Sequence, residues 1–174
     1  KDAFEKFKNL ADRKKEVTDR DIEALIGEKS FEVPEIFELE SFQISSGNKV
    51  VATSAISIKR NGKTITEAAT GSGPVDAAFN ALDRAVGMSF KLEEYRIGAV
   101  TEGKDALGEV TVRISKNGEK FLGKGVSTDI IEASVRAYLN AINKAISELG
   151  EGIIGTNGNG SGNINGNDIV QAIN

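Results

Sequence analysis

The spacing of apolar positions changes twice along the chain from a strand period to a helix period, after a charged helical start. Within 1–30, Phe4, Phe7, Leu10 and Ala11 form a narrow helical stripe. A second short helix is expected from Thr18, which stands at capping-box distance from Asp21, with Ile22, Leu25 and Ile26 on its apolar face. From about Phe31 the pattern is that of strands. Val50, Ala52, Ile56 and Ile58 alternate with Thr53, Ser57 and Lys59, as in a strand with one buried face. Asn61-Gly62 follows, the pair favoured in a type I′ hairpin turn, and 63–69 is the returning strand. Gly71-Ser72-Gly73-Pro74 breaks the sheet, and Pro74 suits a first helical turn. Val75, Ala78, Phe79, Leu82, Ala85 and Val86 then make a helical stripe.

The same order recurs. Residues 92–101 read as a strand, and Val110, Val112 and Ile114 alternate as another. Asn117-Gly118 is a second hairpin turn, with a partner strand from 120. Ser127-Thr128-Asp129 starts a helix in which Asp129 and Glu132 have capping-box spacing, with Ile131, Val135, Tyr138, Ile142, Ala145 and Leu149 as its stripe. One offset of 56 relates the halves. It matches Gly47 to Gly103, Ile58 to Ile114, Asn61-Gly62 to Asn117-Gly118, and Ala77, Ala81 and Ala85 to Ala133, Ala137 and Ala141, with Asp76 against Glu132. The expected fold class is α+β: two pseudo-symmetric βββα units with antiparallel sheets, at about 37–90 and 91–149, packed face to face so that both faces are buried. The domain spans 31–149, after a helical linker subdomain at 1–30. The matched alanines fit either close approach of the two helices or packing of each helix on its sheet. From Gly150 the chain is rich in Gly and Asn, and 155–174 holds 5 Gly and 6 Asn, which reads as a tail with little apolar surface to bury.

Composition narrows the function. The 174 residues include no His and no Cys, which removes the usual neutral-pH general base, thiolate chemistry, disulfides and the commonest transition-metal ligands. A chain of this kind is not expected to be an enzyme on its own, and no catalytic residue, cofactor or metal is assigned. The net charge of −4 argues against phosphate-backbone binding, although a βββα unit superficially resembles double-stranded-RNA-binding folds. Arg13-Lys14-Lys15 reads as a solvated linker because acidic residues flank it. No apolar run approaches the roughly 20 residues of a membrane span, so no membrane partner is expected. Glu102, Asp105 and Glu109 match no metal loop. The turns at 71–74 and 125–129 each lead into a helix, where backbone amides and the dipole favour a carboxylate, although glycines there also serve the turn alone.

These motifs carry a resemblance. Thr66-Glu67-Ala68-Ala69-Thr70-Gly71-Ser72-Gly73-Pro74-Val75-Asp76-Ala77-Ala78-Phe79 resembles the first-repeat signature of the C-terminal regulatory domain of 2-isopropylmalate synthases. Residues 95–114, including Ala99-Val100-Thr101-Glu102-Gly103-Lys104-Asp105-Ala106-Leu107-Gly108, resemble its second-repeat strands, and 123–143 its last helix. Residues 1–26 resemble the end of the linker that precedes that domain. The resemblance covers roughly 1–149 and implies dimers of paired βββα units, L-leucine as effector, a cytoplasmic setting, and a catalytic barrel elsewhere in the parent enzyme. By position it places the leucine pocket on Gly71, Gly73, Val75 and Asp76, with Leu92, Tyr95, Ala99, Val100, Ala106 and Gly108 from the second-repeat strands and Ile130 at the second helix start. The regulatory domain of citramalate synthases, which senses isoleucine, is a close relative; a ligand-free structural dimerisation domain is the bland alternative.

Overall fold

The computed structural model describes residues 34–154, together with 4–6, 8, 9 and 22. Most of the expected linker helices, and the tail from 155, lie outside the described residues. The first repeat consists of β1 (Glu38–Ser45), β2 (Ala52–Arg60), β3 (Lys63–Gly71) and α1 (Pro74–Val86). The second consists of β4 (Lys91–Ala99), β5 (Gly108–Lys116), β6 (Glu119–Ser127) and α2 (Ile130–Leu149). Each triplet is its own antiparallel sheet, ordered β1-β2-β3 and β4-β5-β6. Both hairpins turn as their Asn-Gly pairs require: φ is 50° and 76° at Asn61 and Gly62, and 52° and 81° at Asn117 and Gly118.

The offset of 56 holds for β2, β3, the hairpin turns and the helix starts. It fails for the first strands. Ser45 faces Thr53 across eight residues, whereas Gly98 faces Glu109 across eleven, so the second repeat has three extra residues in this loop. β1 and β4 therefore correspond at an offset of 53. This aligns Leu39 with Leu92, Phe42 with Tyr95 and Ile44 with Ile97, and it aligns the register shift at Leu39/Ser41 with that at Leu92/Glu94. Gly47 and Gly103 are not equivalent. The expected boundaries move at three other points. Val50 is 58% exposed and precedes β2, whose buried positions are Ala52, Ser54, Ile56 and Ile58. Gly71 ends β3 rather than breaking it, and β4 stops at Ala99, leaving Val100 and Thr101 in the loop.

The small residues face the sheet. A Cβ on Gly123 would lie 2.0 Å from the Ala137 carbonyl oxygen, and one on Gly125 would lie 2.2 Å from that of Ala133. α2 therefore rests its backbone directly on β6, which settles the choice between helix–helix and helix–sheet approach for these alanines. The helices of the two repeats touch through larger groups. Phe79 stacks on Tyr138 with ring centroids 4.1 Å apart and planes 10° apart, and the Tyr138 hydroxyl donates to Asp83 Oδ1 at 2.8 Å. One apolar core runs from Phe37 through Ile56, Ile58, Phe79 and Leu82 to Val112, Tyr138 and Ile142. The outer face of the first sheet stays open, with the Ser57 and Thr66 hydroxyls exposed and 2.7 Å apart, so the repeats share their helix sides and do not bury both faces of each sheet.

Two further contacts tie the ends. Phe37, just before β1, gives its N–H to Asn143 Oδ1 and accepts from Asn143 Nδ2, both at 2.9 Å and both buried. After α2, a short 3-10 turn at Glu151–Ile153 packs Ile153 and Ile154 against the core, and Glu151 pairs with Arg60 at 3.0 Å. The first residues of the Gly/Asn-rich tail are thus part of the fold. Among the described residues no helix is long and apolar enough to cross a membrane.

Gly125→Ala should force the α2–β6 contact apart and lower stability by about 2–3 kcal/mol in urea melts, whereas Gly98→Ala, whose Cβ meets open space, should cost under about 0.5 kcal/mol. Burial pushes the Asp83 carboxyl up from 3.8 to about 6, against the opposing effects of the Tyr138 hydroxyl, the Phe90 amide and Lys116. The folded state therefore holds a proton that the unfolded state has released. That contribution is present in full below about pH 4 and is lost as pH rises through about 6. Stability should fall by roughly 2 kcal/mol from this group between about pH 4 and pH 7, and Asp83→Asn should remove that component of the pH profile.

Candidate functional site

Tyr95 stands between the starts of the two helices. Its ring meets Phe79 edge-on at 6.1 Å and 74°. Its hydroxyl lies 2.7 Å from Ser134 Oγ, which itself donates to the Ile130 carbonyl at 2.6 Å, so Tyr95 is the donor of the pair. Phe79 is four residues beyond Val75, and Ser134 is four beyond Ile130. Each is one helical turn from a first-turn residue of the expected pocket. One aromatic side chain thus connects the heads of both helices.

The head of α1 is open. Gly73 is its N-cap, with extended backbone (φ −160°, ψ 178°), and no side chain caps the helix. Ala77 N–H bonds to the Gly73 carbonyl at 2.9 Å. Pro74 has no N–H, so the amides of Val75 and Asp76 are the ones a bound anion would meet. Asp76 turns its carboxylate back, accepting from the Ser72 amide at 2.8 Å and the Ser72 hydroxyl at 3.1 Å. Val75 is half-buried against the core. The two glycines differ in kind. A Cβ on Gly71 would lie 2.3 Å from Ala77 N, so helix packing requires glycine there, whereas a Cβ on Gly73 meets nothing within 4 Å. Packing does not explain Gly73.

The head of α2 is closed by its own side chains. Asp129 Oδ1 accepts from Ile131 N at 2.8 Å and Glu132 N at 3.4 Å. The expected capping box forms on one side only. Glu132 does not reach the Asp129 amide, which donates instead to Ser127 Oγ at 3.1 Å. Glu132 is buried, accepting from Ser127 Oγ at 3.1 Å and from Arg136 Nη2 at 2.9 Å.

Five of the expected residues converge beside this head. Ala99 pairs with Gly108 across β4 and β5. Val100 N–H reaches the Leu107 carbonyl at 2.8 Å, and Ala106 N–H reaches that of Gly103 at 3.3 Å, folding the loop over itself. A Cβ on Gly108 would come within 2.6 Å of Ile130 Cδ1, so Ile130 lies against the end of β5. Leu92 stands apart. It faces Ile114, seven residues and roughly 20 Å along β4 from Ala99, and is 44% exposed. The geometry therefore brings together Gly71, Gly73, Val75 and Asp76 as one group and Ala99, Val100, Ala106, Gly108 and Ile130 as another. Tyr95 lies between them and Leu92 outside both.

Sequence reasoning missed several neighbours. Thr101 is buried and its Oγ1 accepts from Leu107 N at 2.8 Å, while Leu107 itself is 1% exposed, so these two hold the loop closed. No periodicity marks them, because the contact lies within a loop. Ser134, a hydroxyl inside a helix, carried no signal either. Ile97, on the same strand face as Tyr95, is 56% exposed. Its counterpart Ile44, legible only at the offset of 53, was the available clue. The acidic residues do not gather: Glu67 pairs with Arg84, Glu109 with Lys124, and Glu102 and Asp105 are exposed in the loop.

Known proteins share this chain's pattern. The model of the LeuA allosteric (dimerisation) domain matches residues 16–146. The 2-isopropylmalate synthase of Ruminiclostridium cellulolyticum is 68% identical over 154 residues, covering 88% of this chain and 30% of that protein. That of Clostridium kluyveri is 53% identical over 145 residues, covering 83% and 28%, and that of Pelotomaculum thermopropionicum is 50% identical over 145 residues, covering 83% and 29%. The chain spans about three tenths of the length of these relatives. The βββα repeats and the extent of the family match leave one assignment: the chain belongs to the family of LeuA allosteric (dimerisation) domains.

Proposed function

We propose that the chain is the leucine-sensing regulatory domain of a 2-isopropylmalate synthase, a cytoplasmic homodimer whose occupancy by L-leucine feeds back on a catalytic barrel elsewhere in the parent enzyme. The observation that carries this reading is the uncapped head of α1 beside Tyr95, in a family whose description is allosteric. The Val75 and Asp76 amides suit a carboxylate, the Asp76 carboxylate suits an ammonium group, and Val75, Tyr95, Phe79 and the Ala99–Ile130 group offer apolar walls for an isobutyl chain. The relatives' shared name, 2-isopropylmalate synthase, supports leucine over isoleucine as the effector.

L-leucine should raise the melting temperature in a concentration-dependent way, since a ligand of the native state stabilises it by mass action. Gly73→Val and Ala106→Phe should each abolish the shift while the protein stays folded, because Gly73 has open space around its Cβ position and Ala106 is only partly buried. Valine, one methylene shorter, should bind about fourfold more weakly. Tighter binding of isoleucine would move the assignment to a citramalate-type sensor. A flat melting curve with every branched-chain amino acid at millimolar concentration would leave a bare dimerisation domain. Sedimentation at micromolar concentration should give twice the chain mass, and a monomer across a wide concentration range would remove the homodimer.

A further inference from the structure

The two hairpin tips carry a chemistry that the asparagines of the helices do not. Asn61-Gly62 and Asn117-Gly118 are exposed two-residue loops, closed by the Arg60–Lys63 and Lys116–Glu119 pairs. Among the described residues, neither asparagine side chain and neither glycine N–H has a hydrogen-bond partner. A Cβ on Gly62 or Gly118 would meet nothing within 4 Å, so there is open room beside each glycine's peptide nitrogen. The helix asparagines are held instead. Asn80 Nδ2 donates to the Thr70 carbonyl at 3.0 Å, Asn140 Nδ2 donates to that of Lys124 at 2.7 Å, and Asn143 is buried against Phe37. None of these three is followed by glycine.

We propose that Asn61 and Asn117 are sites of spontaneous deamidation, so that both hairpin tips age to aspartyl and isoaspartyl linkages. The glycine peptide nitrogen loses its proton to hydroxide and forms a bond to the asparagine Cγ. The Cγ–Nδ2 bond then breaks, and the nitrogen takes a proton from water and leaves as ammonia. A five-membered succinimide remains, and water opens it at either carbonyl. One opening gives aspartate. The other gives isoaspartate, whose backbone runs through Cβ and Cγ and whose α-carboxylate becomes the side group. Water is the only co-reactant, and nothing is oxidised or reduced. Glycine suits the step because no side chain shields its nitrogen.

The two products differ in consequence. Asp-Gly is itself a type I′ pair, so aspartate leaves the turn standing. Isoaspartate adds one backbone atom to a loop of two residues. The residue before each loop is already fixed. Arg60 pairs with Glu151 at 3.0 Å and lies 5.5 Å from the centre of the Phe37 ring. Lys116 donates to the Ser89 carbonyl at 2.9 Å and lies 5.9 Å from the centre of the Phe90 ring. The extra atom must be absorbed between fixed strand ends, which loosens these contacts.

The test is incubation of the full chain in mildly alkaline buffer at about 37 °C, beside a free peptide of residues 57–66. Peptide mapping by mass spectrometry separates the tips from the Asn-Gly pairs of the tail, and a carboxyl methyltransferase specific for isoaspartate marks that product. The expected result is a gain of about 1 Da at Asn61 and Asn117, with methyl uptake in the same peptides and neither change at Asn80, Asn140 or Asn143. The aged chain should melt roughly 2–5 °C lower. Asn61→Gly combined with Asn117→Gly, which keeps a type I′ sequence, should age without that fall. Tips that gain no mass while the free peptide converts fully would overturn the proposal, because the hairpin would then protect them. Equal gain at the helix asparagines would also overturn it, since unfolding and not the exposed turn would be the cause.

Discussion

The stack of Phe79 on Tyr138 fixes how the two repeats meet, and most of what matters at the site follows from it. A single βββα unit of this size has too little core to hold its shape, and its helix covers only one face of a three-stranded sheet. Stacking the two rings at 4.1 Å joins both helix sides into one core, and the Tyr138–Asp83 hydrogen bond sets their rotation about the contact. Phe79 then presents its edge to Tyr95, and Tyr95 reaches Ser134 on α2. The helix heads are held by this chain of aromatic contacts together with the close packing of each helix on its own sheet. Asp83 sits in this seam at a cost in desolvation, which is why its carboxyl holds a proton far above the ordinary range.

Much of this arrangement was legible in the order of residues, for reasons that differ by element. The Asn-Gly turns were secure because type I′ geometry admits few alternatives, and both turns have the required positive φ. The helix stripes were secure in their middles, where Ala78, Phe79, Leu82, Ala85 and Val86 of α1 and Val135, Tyr138, Ile142 and Ala145 of α2 are buried, while the end positions Val75, Ile131 and Leu149 are only half-buried. The three-residue insertion after β4 was not legible. An ungapped comparison aligned Gly47 with Gly103 and so hid the pairing of Leu39, Phe42 and Ile44 with Leu92, Tyr95 and Ile97, which only the strand registers show. Whether the alanine rows faced a helix or a sheet was open in the sequence, since both packings want small residues. Gly123 and Gly125 decided it, and their role depends on contacts with residues eight or more positions away.

The candidate site was partly legible for a related reason. Residues near a turn or a helix start carry local signals, so Gly73 and Asp76 could be singled out there, whereas Val75 entered only through the family resemblance. The Thr101–Leu107 latch and the Ser134 hydroxyl have no local signature, because their partners are supplied by the fold. Gly71 and Gly73 look alike in sequence and differ in physics. One is required by the approach of Ala77, and the other has room to spare. That difference separates a glycine kept for packing from one whose value lies in the side chain it lacks.

The Phe37–Asn143 pair has a mechanical consequence. The entering chain is fastened, just before its first strand, to the middle of the last helix, across 106 residues of sequence. Both polar groups of the Phe37 backbone are held by one amide in a buried setting, so slipping this joint exposes or orphans four hydrogen-bonding atoms at once. A pull on the segment upstream of Phe37 is therefore delivered to α2 before it reaches β1. The two ends of that helix behave as arms of a lever pinned at Asn143, one arm ending at the 3-10 turn and the other at Ile130, beside the loop that Thr101 and Leu107 hold closed.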